Sequence, residues 1–106
     1  MSKVNQENNG EIEFAIKYVM KVYKEGEFVL WANRWISGED RSNNSALEAE
    51  EAAALKWQRA ETLSQEWKAA KAAWEVAWAA RLLAMKYEEK AVGAAASAIA
   101  WAGEIE

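Results

Sequence analysis

The chain contains no cysteine, no histidine and no proline, and only 5 glycines. Without cysteine neither a disulfide framework nor a thiolate metal site can form, and a reducing compartment is compatible with the composition. Without histidine or cysteine the commonest general base, the commonest transition-metal ligand and the thiolate nucleophile are all missing. Carboxylates, lysine, serine, threonine and tyrosine are what is left for chemistry, so neither enzyme activity nor a cofactor is expected. The scattered glycines form neither GxxxxGK[ST] nor GxGxxG, which removes the common phosphate-binding loops. Long apolar runs are lacking too. Residues 91–103 are the longest charge-free run, too short and too rich in alanine and glycine to span a bilayer. Residues 1–10 are polar and lack the apolar centre of a secretory signal, so a soluble chain is expected.

What is present is alanine, charge and tryptophan. At 106 residues and 52% hydrophobic composition the chain reads as one globular domain. Alanine inflates that percentage and buries little area per residue, so the core must draw on the 7 tryptophans and the larger aliphatics. A monomer of this kind is modestly stable, and self-association as a homodimer is a reasonable expectation. The net charge of −4 is unevenly spread: basic minus acidic residues number 5 minus 5 over residues 1–36, 3 minus 7 over 37–66, 5 minus 3 over 67–90 and 0 minus 2 beyond. No basic stripe able to neutralise several phosphates emerges, which argues against general nucleic-acid binding. The acidic middle suits a basic partner.

Residues 45–90 dominate the chain. Alanine and the straight-chain residues around it have the best helix propensities, and Ser45 with Glu48 has the spacing of a capping box. Glu48, Glu50 and Glu51 crowd the first turns, where carboxylates complement the helix dipole. Unbroken, this helix would be about 70 Å long, which is long for so small a domain. Thr62 and Gln65 repeat the capping-box spacing and mark the best site for a break. In helical projection Trp67, Trp74, Trp78 and Met85 fall on one stripe that Leu63, Ala60, Ala53 and Ala49 continue, interrupted by Lys71, whose stem can lie along it with the ammonium outside. These indoles serve either as core or as exposed anchors for a partner.

Residues 1–10 are expected to be a flexible lead-in to a single helical domain over 11–106. Residues 11–25 fit two patterns. As a helix they gather Ile12, Ala15, Ile16, Val19, Met20, Val22 and Tyr23, leaving Phe14 misplaced. As a strand they alternate Ile12, Phe14, Ile16, Tyr18, Met20 and Val22. Helix is favoured because a lone strand has no evident neighbour. Gly26 then reads as the residue after the helix end. A short helix over 28–36 presents Phe28, Trp31, Ala32, Trp35 and Ile36 at i, i+3, i+4, i+7, i+8, and the turn-rich SGEDRSNN at 37–44 separates it from the long one. Packing of Trp31 and Trp35 against Trp67, Trp74 and Trp78 is the expected central contact. Residues 90–106 restart a helical pattern in which Gly93 and Ser97 would admit a close neighbour beside Trp101, or Gly93 would mark a turn. The expected fold is therefore all-α, a small bundle of about four helices with one long, breakable helix.

The segment WANRWISGEDRS at residues 31–42 resembles a set of small, largely uncharacterised bacterial and phage proteins in which W-A-x-x-W-[LI]-S-G-x-D-R-S leads into an alanine-rich helical tract studded with aromatics. The likeness extends over residues 28–101, and this segment is its specific part. It implies a helical fold, a phage or mobile-element origin and the cytoplasm of a bacterial host. The form of function it makes concrete is a phage-encoded inhibitor of a host defence system, of the anti-CRISPR kind. It carries no established activity and transfers no functional residue.

From the residues themselves, the leading expectation is a non-enzymatic protein-binding module whose acidic face, comprising Glu39, Asp40, Arg41, Glu48, Glu50 and Glu51, docks on a basic surface. The same carboxylates lack the alternation of an EF-hand, so a hard-cation site is not expected and solvated helix-start acids are. Asp40 and Arg41 with Ser42 and Ser45 read most simply as a loop held by caps and local ion pairs. Two other classes remain open: single-stranded nucleic-acid binding through exposed tryptophans with Lys68, Lys71, Arg81, Lys86 and Lys90, and a structural homo-oligomer.

Overall fold

The computed structural model describes residues 2–105, with side chains from residue 10 onward. Of the expected lead-in, Met1 and the side chains up to residue 9 lie outside the described residues. The protein is all-α: α1 (Ser2–Met20), α2 (Gly26–Ser37), α3 (Asn43–Arg59), α4 (Gln65–Ala84) and α5 (Glu88–Gly103), with no strand among the described residues. They form an elongated bundle of 43 × 22 × 20 Å. Helix α4 is its axis, flanked by α3, α5 and α1, while α2 packs on α1 and α3.

The sequence of α4 explains that position. Ala69, Ala70, Ala72, Ala73, Ala77, Ala79 and Ala80 are buried together with Val76 and Leu82, so the helix is covered on more than one side. Side chains this small let neighbouring helices approach closely, and each neighbour answers in kind: Ala46, Ala49 and Ala53 on α3, and Ala91, Ala95, Ala98 and Ala102 on α5. The larger aliphatic contribution comes from α1, where Ile12, Ala15, Ile16 and Val19 are fully buried at i, i+3, i+4, i+7. Burying each large aliphatic side chain contributes about 1.5 to 3 kcal/mol. That spacing settles the ambiguous segment as helix and leaves Phe14 outside it, 60% exposed.

Helix ends differ from expectation in instructive ways. Helix α1 stops at Met20, not residue 25, in a turn where the amides of Val22 and Tyr23 both donate to the Val19 carbonyl, at 3.0 and 2.9 Å. Gly26 opens α2 and does not close α1. Helix α3 starts earlier than residue 45 because Ser42 is the cap, its hydroxyl accepting from the Ser45 amide at 3.2 Å. The long helix breaks where a break was expected, but Ser64 caps α4 instead of Thr62, accepting from the Trp67 amide at 3.1 Å after Leu63 turns the chain at a φ of 65°.

The boundary before the last helix, expected near residue 90, lies at residues 85–87. The Lys86 amide donates to the Leu83 carbonyl at 2.9 Å and the Tyr87 amide to Leu82 at 2.8 Å, a Schellman cap with Lys86 left-handed at a φ of 69°. Glycine usually marks such a cap, and here lysine hides it. Gly93, conversely, lies inside α5 with open space around it, so it neither turns the chain nor admits a neighbour.

The expected central contact is also corrected. Among the described residues no ring pair joins Trp31 or Trp35 to Trp67, Trp74 or Trp78, and α2 packs chiefly on α1 and α3. Trp31 packs on Phe28 at 5.6 Å between ring centroids, and Phe28 on Tyr23 at 5.3 Å. The α4 indoles instead join a ladder across three helices: Trp57 meets Trp74 at 5.4 Å and Trp67 at 5.8 Å, and Trp67 meets Trp101 at 5.3 Å. All four are half-buried, so alanine fills the centre and tryptophan seals the rim.

Two stability changes follow. Gly93→Ala should raise stability by about 0.5 to 1 kcal/mol, since it removes backbone freedom from an open helical site. Lys86→Gly should also stabilise, because a lysine in the left-handed region costs about 1 to 2 kcal/mol, partly offset by the freedom glycine has when unfolded. Thermal or urea unfolding checks both; destabilisation by either change would contradict the placement.

Candidate functional site

The turn between α2 and α3 is built almost wholly from side chains. Gly38, at a φ of 85°, closes α2 with its amide on the Trp35 carbonyl at 3.1 Å, and the Asp40 amide reaches the Arg34 carbonyl at 3.1 Å. Arg41 folds back over the helix end. Its Nε donates to the Trp35 carbonyl at 2.7 Å, its Nη2 to that of Ile36 at 3.4 Å, and its guanidinium lies 4.2 Å from the centre of the Trp35 ring. Trp35, 2% exposed, is thereby roofed by a cation that also donates to two carbonyls at the helix end. The Asp40 carboxylate accepts from the Ser42 amide at 3.0 Å and the Ser45 hydroxyl at 2.5 Å. These hydrogen bonds, with the charge of Arg34, hold its carboxyl below its ordinary pKa.

The six acidic-face candidates therefore divide. Asp40 and Arg41 hold the turn. Glu50 points inward, 8% exposed, and accepts from Arg81 Nη1 at 2.8 Å, tying α3 to α4. Arg81 also donates to Asn43 Oδ1 at 3.1 Å and lies 5.3 Å from the Trp78 ring. Glu39, Glu48 and Glu51 face solvent. Glu39 makes only a loose pair with Arg34 at 3.9 Å. Among the described residues no group of three or more carboxylates is arranged to hold a metal ion.

Glu48 and Glu51 rim a groove of about 540 Å³ between α2 and α3. Its floor is Trp31, Ala49 and Ala52, and its walls are Leu30 and Leu55, which are 53% and 52% exposed. Glu27 completes an acidic margin that Arg34 alone interrupts with positive charge. The leucines and Glu27 were missed by sequence reasoning. The available signal was that Leu30 and Leu55 fall off the apolar faces of their own helices, where a large aliphatic has no core to enter.

The basic residues considered for nucleic acid are engaged differently. Lys68 pairs with Glu104 at 3.0 Å. Lys71 pairs with Glu75 at 3.1 Å, and its ammonium lies 4.5 Å from the Trp57 ring centre and 4.9 Å from that of Trp74. The ammonium sits over the rings, not beyond them, so the expected snorkelling does not occur. Lys86 and Lys90 are exposed, Lys90 lying over the Tyr87 ring at 5.5 Å. No helix among the described residues is long and apolar enough to cross a membrane.

Compared with models of known protein families, with curated proteins and with solved structures, the chain gives no match.

Two measurements check this geometry. Arg81→Met should cost about 2 to 3 kcal/mol, because Glu50 is left partly buried without its partner. Because Asp40 has a lowered pKa, its contribution to stability is present above the ordinary carboxylate range and is lost as pH falls through the lowered value. Asp40→Asn should therefore lower the thermal midpoint at neutral pH and flatten the acid limb of the stability curve. An unchanged acid limb would mean the carboxylate does not hold the turn.

Proposed function

We propose that this protein is a non-enzymatic protein-binding module that docks its α2–α3 face on a basic surface of a partner protein and acts by occupying that surface. The observation that carries the reading is the placement of Glu27, Glu48 and Glu51 around an exposed apolar groove. Acidic margins steer a basic partner and fix its register, while the apolar floor supplies the area that charge alone does not. The engagement of Lys68, Lys71 and Arg81 in internal ion pairs, and of four tryptophans with one another, supports this reading over stacking on single strands. The resemblance of residues 31–42 to phage proteins gives the proposal its concrete form, a phage-encoded inhibitor of a host defence system that works in the bacterial cytoplasm.

Self-association has one observation of its own. Phe14 stands exposed beside Val92, Ala96 and Ile99 of α5 in a groove of about 460 Å³ that shares no residue with the acidic margin. Sedimentation of the wild type and Phe14→Ser over a range of concentrations separates this from the main proposal.

The test is charge reversal. Glu48→Lys with Glu51→Lys should preserve helicity, since both are exposed, and should weaken capture of a partner from a bacterial extract by about tenfold or more. Glu50→Lys must be kept out of that variant, because it would place a cation against Arg81 and unfold the α3–α4 contact. Equal capture by wild type and the double reversal, with no protein dependent on the two carboxylates, would sink the proposal.

A further inference from the structure

A helix packed on one side ordinarily presents charged or polar side chains on the other, and α5 does not. Between Lys90 and Glu104 it carries no charged residue, and its solvent side exposes Gly93, Ala96, Ala100 and Gly103. Among the described residues nothing accounts for Gly93. A Cβ added there meets open space, and alanine, the residue α5 uses most, would favour the helix more. Phe14 of α1 rises beside this floor, 60% exposed, on the rim of the groove lined by Val92, Ala95, Ala96 and Ile99. It stacks on Tyr18 at 6.2 Å between ring centroids, a contact within α1 that leaves most of the ring bare.

We infer that this face is covered by the same face of a second copy, the two related by a two-fold axis so that the Phe14 ring of each lies over Gly93, Ala96 and Ala100 of the other. The inference deepens the self-association reading and is independent of the acidic α2–α3 face. Shape, charge and area select this occupant. The face holds both a projecting ring and a shallow floor of small residues, so it is complementary to itself, as a two-fold interface requires. Among the described residues Glu11 is the only charged one lining the groove; Lys17 on α1 is held by Glu13 at 3.0 Å, and Glu89, Lys90 and Glu104 stand at the ends of α5. On a chain of net charge −4 a copy therefore meets little like charge here, whereas the groove rimmed by Glu27, Glu48 and Glu51 opposes its own image. The 16 residues of α5 span about 24 Å, and two adjacent helices about 18 Å, so each copy offers an outline of about 430 Å². The pair covers about 860 Å², in the range of weak, reversible interfaces, so dimerisation is concentration-dependent.

Sedimentation equilibrium of the full-length protein over a range of concentrations tests this. The wild type should dimerise reversibly, and Phe14→Ser and Gly93→Lys should each weaken dimerisation by about tenfold or more. Gly93→Lys should do so while the unfolding midpoint of the dilute protein holds or rises, because the site is open within one chain and lysine is the better helix former. Glu48→Lys with Glu51→Lys, away from the face, should leave dimerisation unweakened. A wild type that stays monomeric at every concentration overturns the inference. So does a dimer that Phe14→Ser and Gly93→Lys both leave intact, since its interface then lies elsewhere. Loss of dimerisation in only one of these two variants overturns the placement of ring over floor. A monomer that captures a foreign protein through this face, with capture lost in Gly93→Lys, overturns the second copy as occupant. The acidic-face proposal stands or falls separately, on the charge-reversal capture experiment.

Discussion

The constraint on which everything else depends is that α4 is surrounded. A helix flanked by three others cannot carry large side chains on every buried face without pushing its neighbours apart, and alanine resolves this. The result is a core held by many small contacts at close range, with dispersion from dense backbone approach standing in for the bulk of a leucine core. Only α1 contributes a conventional aliphatic stripe, which is why Ile12, Ile16 and Val19 are buried so completely.

The tryptophans take their role from that choice. With the axis occupied by alanine, indoles on α3, α4 and α5 are displaced to the margins between helices, where edge-on packing adds about 0.5 to 1.5 kcal/mol per pair beyond area. Trp57, Trp67, Trp74 and Trp101 form a seam on the α3–α4–α5 side, and Lys71 is enclosed by two of them. Arg81 and Arg41 do comparable work elsewhere, each lying over an indole while satisfying oxygen acceptors. Lys71, Arg81 and Arg41 are in this sense structural cations, whereas Lys24, Arg59 and Lys86 are exposed.

The α2–α3 turn shows how little of a distinctive motif need be functional. Within WANRWISGEDRS, both tryptophans are buried, Gly38 takes the left-handed cap, Arg41 roofs Trp35, and Asp40 with Ser42 opens α3. Every one of these residues has a local reason to be what it is. What the motif accomplishes is to set α2 and α3 side by side at a fixed separation, and the groove left between them is the part with no internal occupant.

Helix identity, the break near residues 62–65 and the buried face of α1 were legible in the sequence, because propensity, capping and periodicity act within a few residues along the chain. The boundary before the last helix was legible only approximately, near residue 90, since the left-handed lysine that makes the cap, Lys86, leaves no local mark. The acidic candidates were only half legible. Periodicity places Glu48, Glu50 and Glu51 on the same helix, but the position of Arg81 on a neighbouring helix is what turns Glu50 inward and leaves the other two facing solvent. Likewise the sequence alone established that indoles line one face of α4, and the tertiary structure decided that Trp67 and Trp74 on this face meet indoles of α3 and α5. The physical reason is common to both: a helix's own residues define its faces, whereas which face is covered depends on how all the helices share a single centre.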